Sequence, residues 1–493
     1  MRQLFSRRPI AAAEQEGTGL HRTLGAGDLI LLAIGAVIGA GIFGAIGSAA
    51  AGEYKDGKLV RSGAGPALVF SFILLGAACA LAALCYAELA AMIPQAGSAY
   101  AYAYATLGEL AAWIIGWDLI LEYAVGNVAV AISWADYFKT LLAGIGLRIP
   151  DFLSTGYRTA LLSDNPQVHG LLTSAPHIFG VPILINIPAC TIVLLITALL
   201  VVGVRESARA NNLMVIVKLL ALALFVGFGV QHIDMANYTP FAPNGFGGVH
   251  HGAAIVFFAY IGFDAISTAG EETINPQRNL PIGILGGLAI CTVIYIIVGV
   301  VLTGMVPWNT LNVADPLAFA LEKAGAHTVG WLVALGASFS MAAVLLVFQY
   351  GQPRIFFAMA RDGLLPKFAA KIHPRFRTPH VTTIITGLLV AAGSLVGDAG
   401  ETYDLTNIGT LFAFVIVCVG VLVLRVVEPD RPRPFRVPGV WVVAPLGAAA
   451  CVFIMTGLPG TAWVRFGIWL AIGIVIYLIY GFRNSILRKA SQK

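Results

Sequence analysis

Long apolar runs and short polar connections alternate along this chain from residue 28 to residue 481. Twelve runs stand out, at 28–47, 66–92, 102–138, 181–202, 212–230, 247–270, 282–304, 330–360, 380–397, 407–424, 441–457 and 464–481. A helix rises about 1.5 Å per residue, so roughly 20 apolar residues cross the hydrocarbon core of a bilayer. The pattern predicts an all-α membrane protein with 12 transmembrane helices. The third and eighth runs are long enough to tilt or to project from the membrane. Residues 1–27 read as an N-terminal tail and 482–493 as a C-terminal tail. The connections 48–65 and 139–180 lie on one face; the first is polar and glycine-rich, the second reads as an irregular cap, and no tract reads as a separate soluble domain.

Two runs are poor continuous helices. The first, DLILLAIGAVIGAGIFGAIG, has Gly39-Ala40-Gly41 in its middle. Glycine weakens a helix, and irregular backbone at membrane depth is tolerated only where it is buried or lines a cavity. Such glycines would also serve close helix packing. The sixth run is weakened in the same way by Gly262 and Asp264 within AYIGFD. Interrupted segments at matching positions of two halves point to a transport site near the midplane. Runs 1–5 (28–230) and 6–10 (247–424) are then a 5+5 inverted repeat, with 441–481 outside it. A break that ends a half-helix offers carbonyls to an ammonium group, and one that begins a half-helix offers N–H groups to a carboxylate. An amine and a carboxylate together describe an amino acid, although a sodium ion also suits carbonyls.

Charged residues are 11% of the chain and hydrophobic ones 58%, far from a soluble composition. The net charge of +5 therefore says little about nucleic acid, and its distribution matters more. With the N-terminus inside, the inner segments hold 20 of the 30 Lys and Arg and the outer ones 8. That asymmetry predicts both termini on the cytoplasmic side. The N-terminal tail lacks the apolar core of a cleavable signal. All 6 cysteines fall inside apolar runs and read as packing residues. His250 and His251 are a weak metal signal, read as a solvated pair. Metalloprotease, phosphate-loop and Ser-His-Asp patterns do not occur. The chain reads as no enzyme, with no cofactor and no metal.

Lys218 is the sharpest single residue. It lies inside the fifth run, where a charge is costly and faces a cavity or a partner unless it snorkels to the interface. A lysine held there can take up and release a proton, or its ammonium can stand where a sodium ion would. Asp118 and Glu122 sit four apart on the third run, on one helix face. Glu122 is a proton-relay candidate or one half of a structural ion pair. Asp264 orients the unwound segment or joins proton movement. Glu88 and Asp28 lie near run ends and read as interfacial.

Five ordered motifs carry a family resemblance. They are AIGAVIGAGIFGAIG, CYAELAAMIPQAGSAYAYAYATLGE, GWDLILEYAVGNVAVAISW, FFAYIGFDAISTAGEETINPQRNLPIGI and YGQPRIFFAMARDGLLPKF. They resemble the amino acid–polyamine–organocation permeases, in particular the bacterial branch similar to cationic amino acid transporters. The resemblance implies the leucine-transporter fold and secondary transport of L-amino acids, commonly coupled to protons. By position it implies that Val37, Ala40, Gly41 and Ile42 hold the substrate headgroup from the first run, and Phe258, Ala259 and Ile261 from the sixth. Phe258 also gates the outer side, Lys218 and Glu122 match proton-coupling positions, and Met341 meets the substrate side chain. Two departures stand out: Ala40 replaces a hydroxyl residue frequent in bacterial relatives, and the two long outer connections look extended.

The expected function is proton symport of small neutral L-amino acids such as alanine, with membrane lipid as the surrounding solvent. An exchanger, a sodium symporter and a membrane sensor that binds without transport are the alternatives.

Overall fold

The computed structural model describes residues 7, 22–55, 58–94, 97–202, 208–376 and 378–491. Most of the expected N-terminal tail and the last two residues lie outside these. Each expected apolar run meets a helix. We number them α1 (Ala26–Val37, resuming after a break as Gly41–Ala51), α2 (Leu68–Met92), α3 (Glu109–Gly144), α4 (Ile187–Val202), α5 (Ala208–Gly229), α6 (Gly245–Val256), α7 (Pro276–Met305), α8 (His327–Arg361), α9 (His380–Val396), α10 (Ala399–Val427), α11 (Val440–Met455) and α12 (Gly460–Ile476). Among the described residues, 8 helical stretches are long and apolar enough to cross a membrane alone. The two halves of α1, bent by 46° at their break, make a ninth, and α4, α9 and α11 are shorter apolar helices.

The third run does not begin at residue 102. A separate helix, Ser98–Thr106, ends there, and Gly108 turns the chain into α3 at a φ of 99° that favours glycine. In the polar connection 48–65, Gly52–Lys55 and Lys58–Ser62 pair as an antiparallel hairpin, β1 and β2. The connection after α3 holds the short helices Tyr157–Leu162, Pro166–His169 and Leu171–Ser174 and a two-residue strand pair.

The broken helices form the centre. An 18-residue stretch within Gly245–Ser267 is 89% buried, against 22% for the equal stretch of the twelfth span, so α6 is enclosed and α12 peripheral. The first half of α1 lies against α7, where Gly283 meets Leu29 and Gly287 meets Ala33. Glycines four apart let the two backbones approach, as lipid-embedded helices require when no hydrophobic effect drives them together.

The face opposite the termini is tied by ions. Arg61 of β2, almost fully buried, donates to both Glu53 oxygens at 2.8 and 2.7 Å and to both Asp404 oxygens at 2.8 and 3.0 Å. Burial alone would lower the pKa of that guanidinium, but Glu53 and Asp404 outweigh it and hold it above its ordinary value. Glu401 accepts from Arg158 at 2.7 and 2.6 Å and from Arg465 at 2.5 Å, which joins the long connection, α10 and α12. On the termini face, Glu88 is buried rather than interfacial. Arg425 donates to it at 3.0 and 2.6 Å, and the Val437 N–H at 2.7 Å.

Removing one partner of a buried ion network strands the others and costs about 3–5 kcal/mol. Arg61→Ala is therefore expected to lower the apparent unfolding temperature of the purified protein more than Glu53→Gln does, because the former leaves Asp404 unpaired. Thermal unfolding followed by tryptophan fluorescence checks the order.

Candidate functional site

The two breaks lie against each other. The first half of α1 ends at Val37, Ile38 has extended backbone, and Gly41–Ala45 resumes as a single wide turn. α6 ends at Val256, tightens through Phe257–Tyr260, leaves helical geometry at Ile261 and turns at Gly262 with φ 114°. Gly41 faces Ala259 so closely that a methyl group on it would run into the Ala259 Cα. Only glycine permits that approach. Val37, Ala40, Gly41, Ile42, Phe258, Ala259 and Ile261 are all buried, so the structure brings the expected headgroup residues of both breaks together. Phe257, Phe258 and Tyr260 are buried as well and do not contact lipid.

Interrupting a helix strands carbonyls, and protein donors take these. Lys218 Nζ, fully buried, donates to the carbonyls of Gly35 at 2.7 Å and Ile38 at 2.9 Å. Ser340 of α8 donates to the same Ile38 carbonyl at 2.9 Å. Tyr295 of α7 spans both breaks, its hydroxyl lying 3.1 Å from the Val37 carbonyl and 2.8 Å from that of Ala259. Asn407 of α10 donates to the carbonyls of Ala254 and Ile255 at 3.0 and 3.3 Å. With the Gly35, Val37 and Ile38 carbonyls already occupied, the break in α1 is left as a donor of N–H groups, the polarity that suits an anion.

Met341 is fully buried on α8, one residue past Ser340 and one turn before Val344, which packs on Gly39. It thus stands beside the break in α1. Phe258 packs at a tilt against Tyr403 of α10, ring centroids 4.5 Å and ring planes 59° apart, and lies against Gly126 of α3. Tyr403 shares a 2.5 Å hydrogen bond with Ser133. A cavity of about 540 Å³ opens at the face opposite the termini and reaches down to Gly44, Ser133 and Tyr403. Phe258 lies behind that Tyr403–Ser133 pair.

Asp118 and Glu122 both face α10: Asp118 lies beside Gly409, and Glu122 accepts from Thr410 at 3.3 Å. Glu122 and Asp264 are near neighbours, and the Ser98 hydroxyl lies 3.5 Å from Asp264. Among the described residues, no Lys or Arg pairs with any of these three buried carboxylates, so Glu122 is not half of an ion pair there. The two histidines are separately engaged, His250 with the Phe453 carbonyl at 2.7 Å and His251 with Ser62 at 3.0 Å.

Sequence reasoning missed Tyr295, Ser340, Tyr403, Asn407 and Thr410. The last three carried a signal. They recur three or four apart at the start of α10, which puts them on one face, but the tenth apolar run begins at residue 407, so Tyr403 falls in the connection before it.

Residues 24–482 match the sequence profile of the amino acid permease family. The chain is 45% identical over 491 residues to a methylthioribose transporter of Bacillus subtilis (strain 168), covering 99% of this chain and 100% of that one. It is 44% identical to the branched-chain amino acid permease BcaP of the same organism, over 97% of each chain. It is 37% identical to the vacuolar cationic amino acid transporter 4 of Arabidopsis thaliana, over 83% of this chain and 64% of the plant protein. A match across nearly the whole chain, on a helical frame whose first and sixth helices are both broken, fixes the relationship: this chain belongs to the amino acid permease family, within the amino acid–polyamine–organocation superfamily of integral membrane transporters.

Proposed function

We propose that this protein imports L-amino acids with neutral side chains, alanine among them, by proton symport with alternating access. In this reading all twelve helices cross a bacterial plasma membrane and both termini face the cytoplasm. α1–α5 and α6–α10 are the inverted repeats, and α11 and α12 stand outside them. The observation that carries the reading is the contact between the two broken helices at Gly41 and Ala259, with Lys218 on the carbonyls of the first.

The N–H groups of Ala40 and Gly41 receive the carboxylate beside Ile42, whose own N–H donates to the Gly39 carbonyl at 3.2 Å. The backbone of Phe258, Ala259 and Ile261 receives the amine, and Phe258 with Tyr403 closes the side of the cavity. A neutral Lys218 would lose its charge-assisted hold on Gly35 and Ile38, so proton loss there would change the geometry of the site itself. Glu122 and Asp264 offer a further place for the proton. Sodium symport fits less well, because the Lys218 ammonium already occupies those carbonyls.

Met341, Phe258 and Ile261 give the side-chain end an apolar lining, in keeping with the name of the branched-chain relative. A cationic side chain placed there would lose hydration without a partner. A second reading is uptake of a neutral thiosugar. Ala40 supplies no hydroxyl to a carboxylate, and the relative 45% identical over the full chain is named for methylthioribose.

Proteoliposomes with an imposed pH gradient and labelled alanine, leucine, arginine and methylthioribose test these readings together. Neutral amino acids should accumulate and compete, and arginine should compete poorly. Arginine outcompeting alanine would overturn the neutral-substrate reading, and accumulation of methylthioribose alone would establish the second one. Met341→Ser, which adds room and a hydrogen-bonding group, is expected to widen the range towards larger or cationic substrates.

Lys218→Ala should abolish gradient-driven accumulation while leaving substrate-dependent thermal stabilisation measurable. Full uptake by that variant would remove Lys218 from coupling. Gly41→Val should remove the stabilisation itself, because a branched side chain cannot share space with Ala259.

A further inference from the structure

The face that carries the termini is sealed beneath the unwound stretch of α6, and the seal is held by the C-terminal end of the chain. Helix Ser98–Thr106 lies under that stretch. Its first residue, Ser98, has φ 47°, and the Ser98 hydroxyl sits 3.5 Å from Asp264. Just upstream, Pro94 packs against Gly270, where a Cβ would lie 2.9 Å from the Pro94 carbonyl carbon.

The same helix is gripped from below at two points. Glu109 is buried, and three hydroxyls donate to it: Tyr104 from the helix at 3.2 Å, Tyr477 at 2.9 Å and Ser485. Among the described residues, no cation pairs with Glu109. The Tyr100 hydroxyl donates to Asp362 at the end of α8 at 2.7 Å, and the Ile486 N–H donates to the Asp362 carbonyl at 3.2 Å. Asn484 lies so close to Gly363 that a Cβ there would meet its carbonyl. Residues 477–486 thus hold both anchor points of the helix, one at the start of α3 and one at the end of α8.

We infer that residues 477–486, the last turns that carry the α12 helix on to Asn484 and the two residues beyond, are a strap that fixes helix Ser98–Thr106 against α6 through Glu109 and Asp362, so that opening towards the termini face requires release of the strap. Glu109 is a positioning residue in this scheme and touches no substrate. The inference rests on the alternating-access reading above, and it predicts a cytoplasmic C-terminal segment that controls the transport cycle.

The reporter is Ala99→Cys, a fully buried position on the strapped helix, in the full-length protein reconstituted in lipid nanodiscs. Cys190, the half-buried cysteine, is replaced by alanine. Each hydroxyl removed from Glu109 should speed maleimide labelling at residue 99 by about five-fold, the weight of one hydrogen bond. Tyr477→Phe and Tyr104→Phe are therefore each expected to show it, and Tyr477→Phe with Ser485→Ala to show more. An unchanged labelling rate in variants that unfold at the wild-type temperature would overturn the strap. The single-hydroxyl variants keep the test open if Glu109→Ala does not fold. Labelling does not depend on substrate: faster labelling in a protein that moves no solute would sink the transport reading and leave the strap standing.

Discussion

A helix broken at membrane depth survives only if other groups take the hydrogen bonds that it gives up, because lipid offers none. Three helices supply those groups here. Lys218 from α5, Tyr295 from α7 and Ser340 from α8 occupy the carbonyls of Gly35, Val37 and Ile38. The break in α1 is therefore a built feature, held open from three sides, and the surrounding packing follows from it. Gly41 must be glycine because Ala259 is drawn against it. α7 must carry Gly283 and Gly287 because Tyr295 can reach both breaks only if α7 lies close to α1. The polarity of the site comes from the same arrangement. A break whose carbonyls are already engaged offers N–H groups, and an anionic group is what those groups attract.

The protein is also asymmetric end to end. On the face opposite the termini a cavity descends to Tyr403 and Ser133, and the ions around it, Glu53–Arg61–Asp404 and Glu401 with Arg158 and Arg465, tie hairpin, long connection, α10 and α12 at its rim. On the termini face backbone closes on backbone. Thr23 and Leu24 donate to the Glu272 carbonyl at 2.9 and 3.1 Å, and Ile274 donates back to Leu24 at 2.9 Å, clasping the approach to α1 onto the far end of the α6 stretch. Access from one side and closure at the other is the geometry that the proposed transport cycle starts from, with Phe258 and Tyr403 between the cavity and the breaks.

Most of this frame was legible in the sequence. Apolar length marks a membrane helix because the bilayer imposes it, and each of the twelve runs overlaps a helix. Gly39-Ala40-Gly41 and AYIGFD marked the breaks for the same reason that they form: glycine lowers the cost of leaving helical geometry. What was hidden depends on partners far apart in the chain. Glu88 read as interfacial because its counterion, Arg425, stands 337 positions away. Helix Ser98–Thr106 merged with the third run because SAYAYAYAT is apolar enough to extend it, and only Gly108 marks the boundary. Tyr295 and Ser340 are ordinary polar residues within long apolar helices, and their role appears only once the carbonyls opposite them are in place.

The three buried carboxylates carry the argument about substrate furthest. Asp118, Glu122 and Asp264 lie on the α10 and termini side of the breaks, and Thr410 is the donor that reaches Glu122. Uncompensated charge at this depth is costly, so these groups are expected to hold protons or to await a cation. If they awaited the side chain of an arginine or lysine, they would need to face the space beside Met341. Met341 instead lies on α8 next to Ser340, which donates to the Ile38 carbonyl, while Glu122 accepts from Thr410 of α10. The carboxylates and Met341 thus belong to different sides of the breaks. That separation fits a protein that binds a neutral side chain on one wall and moves protons along another, with Lys218 answering from the far side of the break.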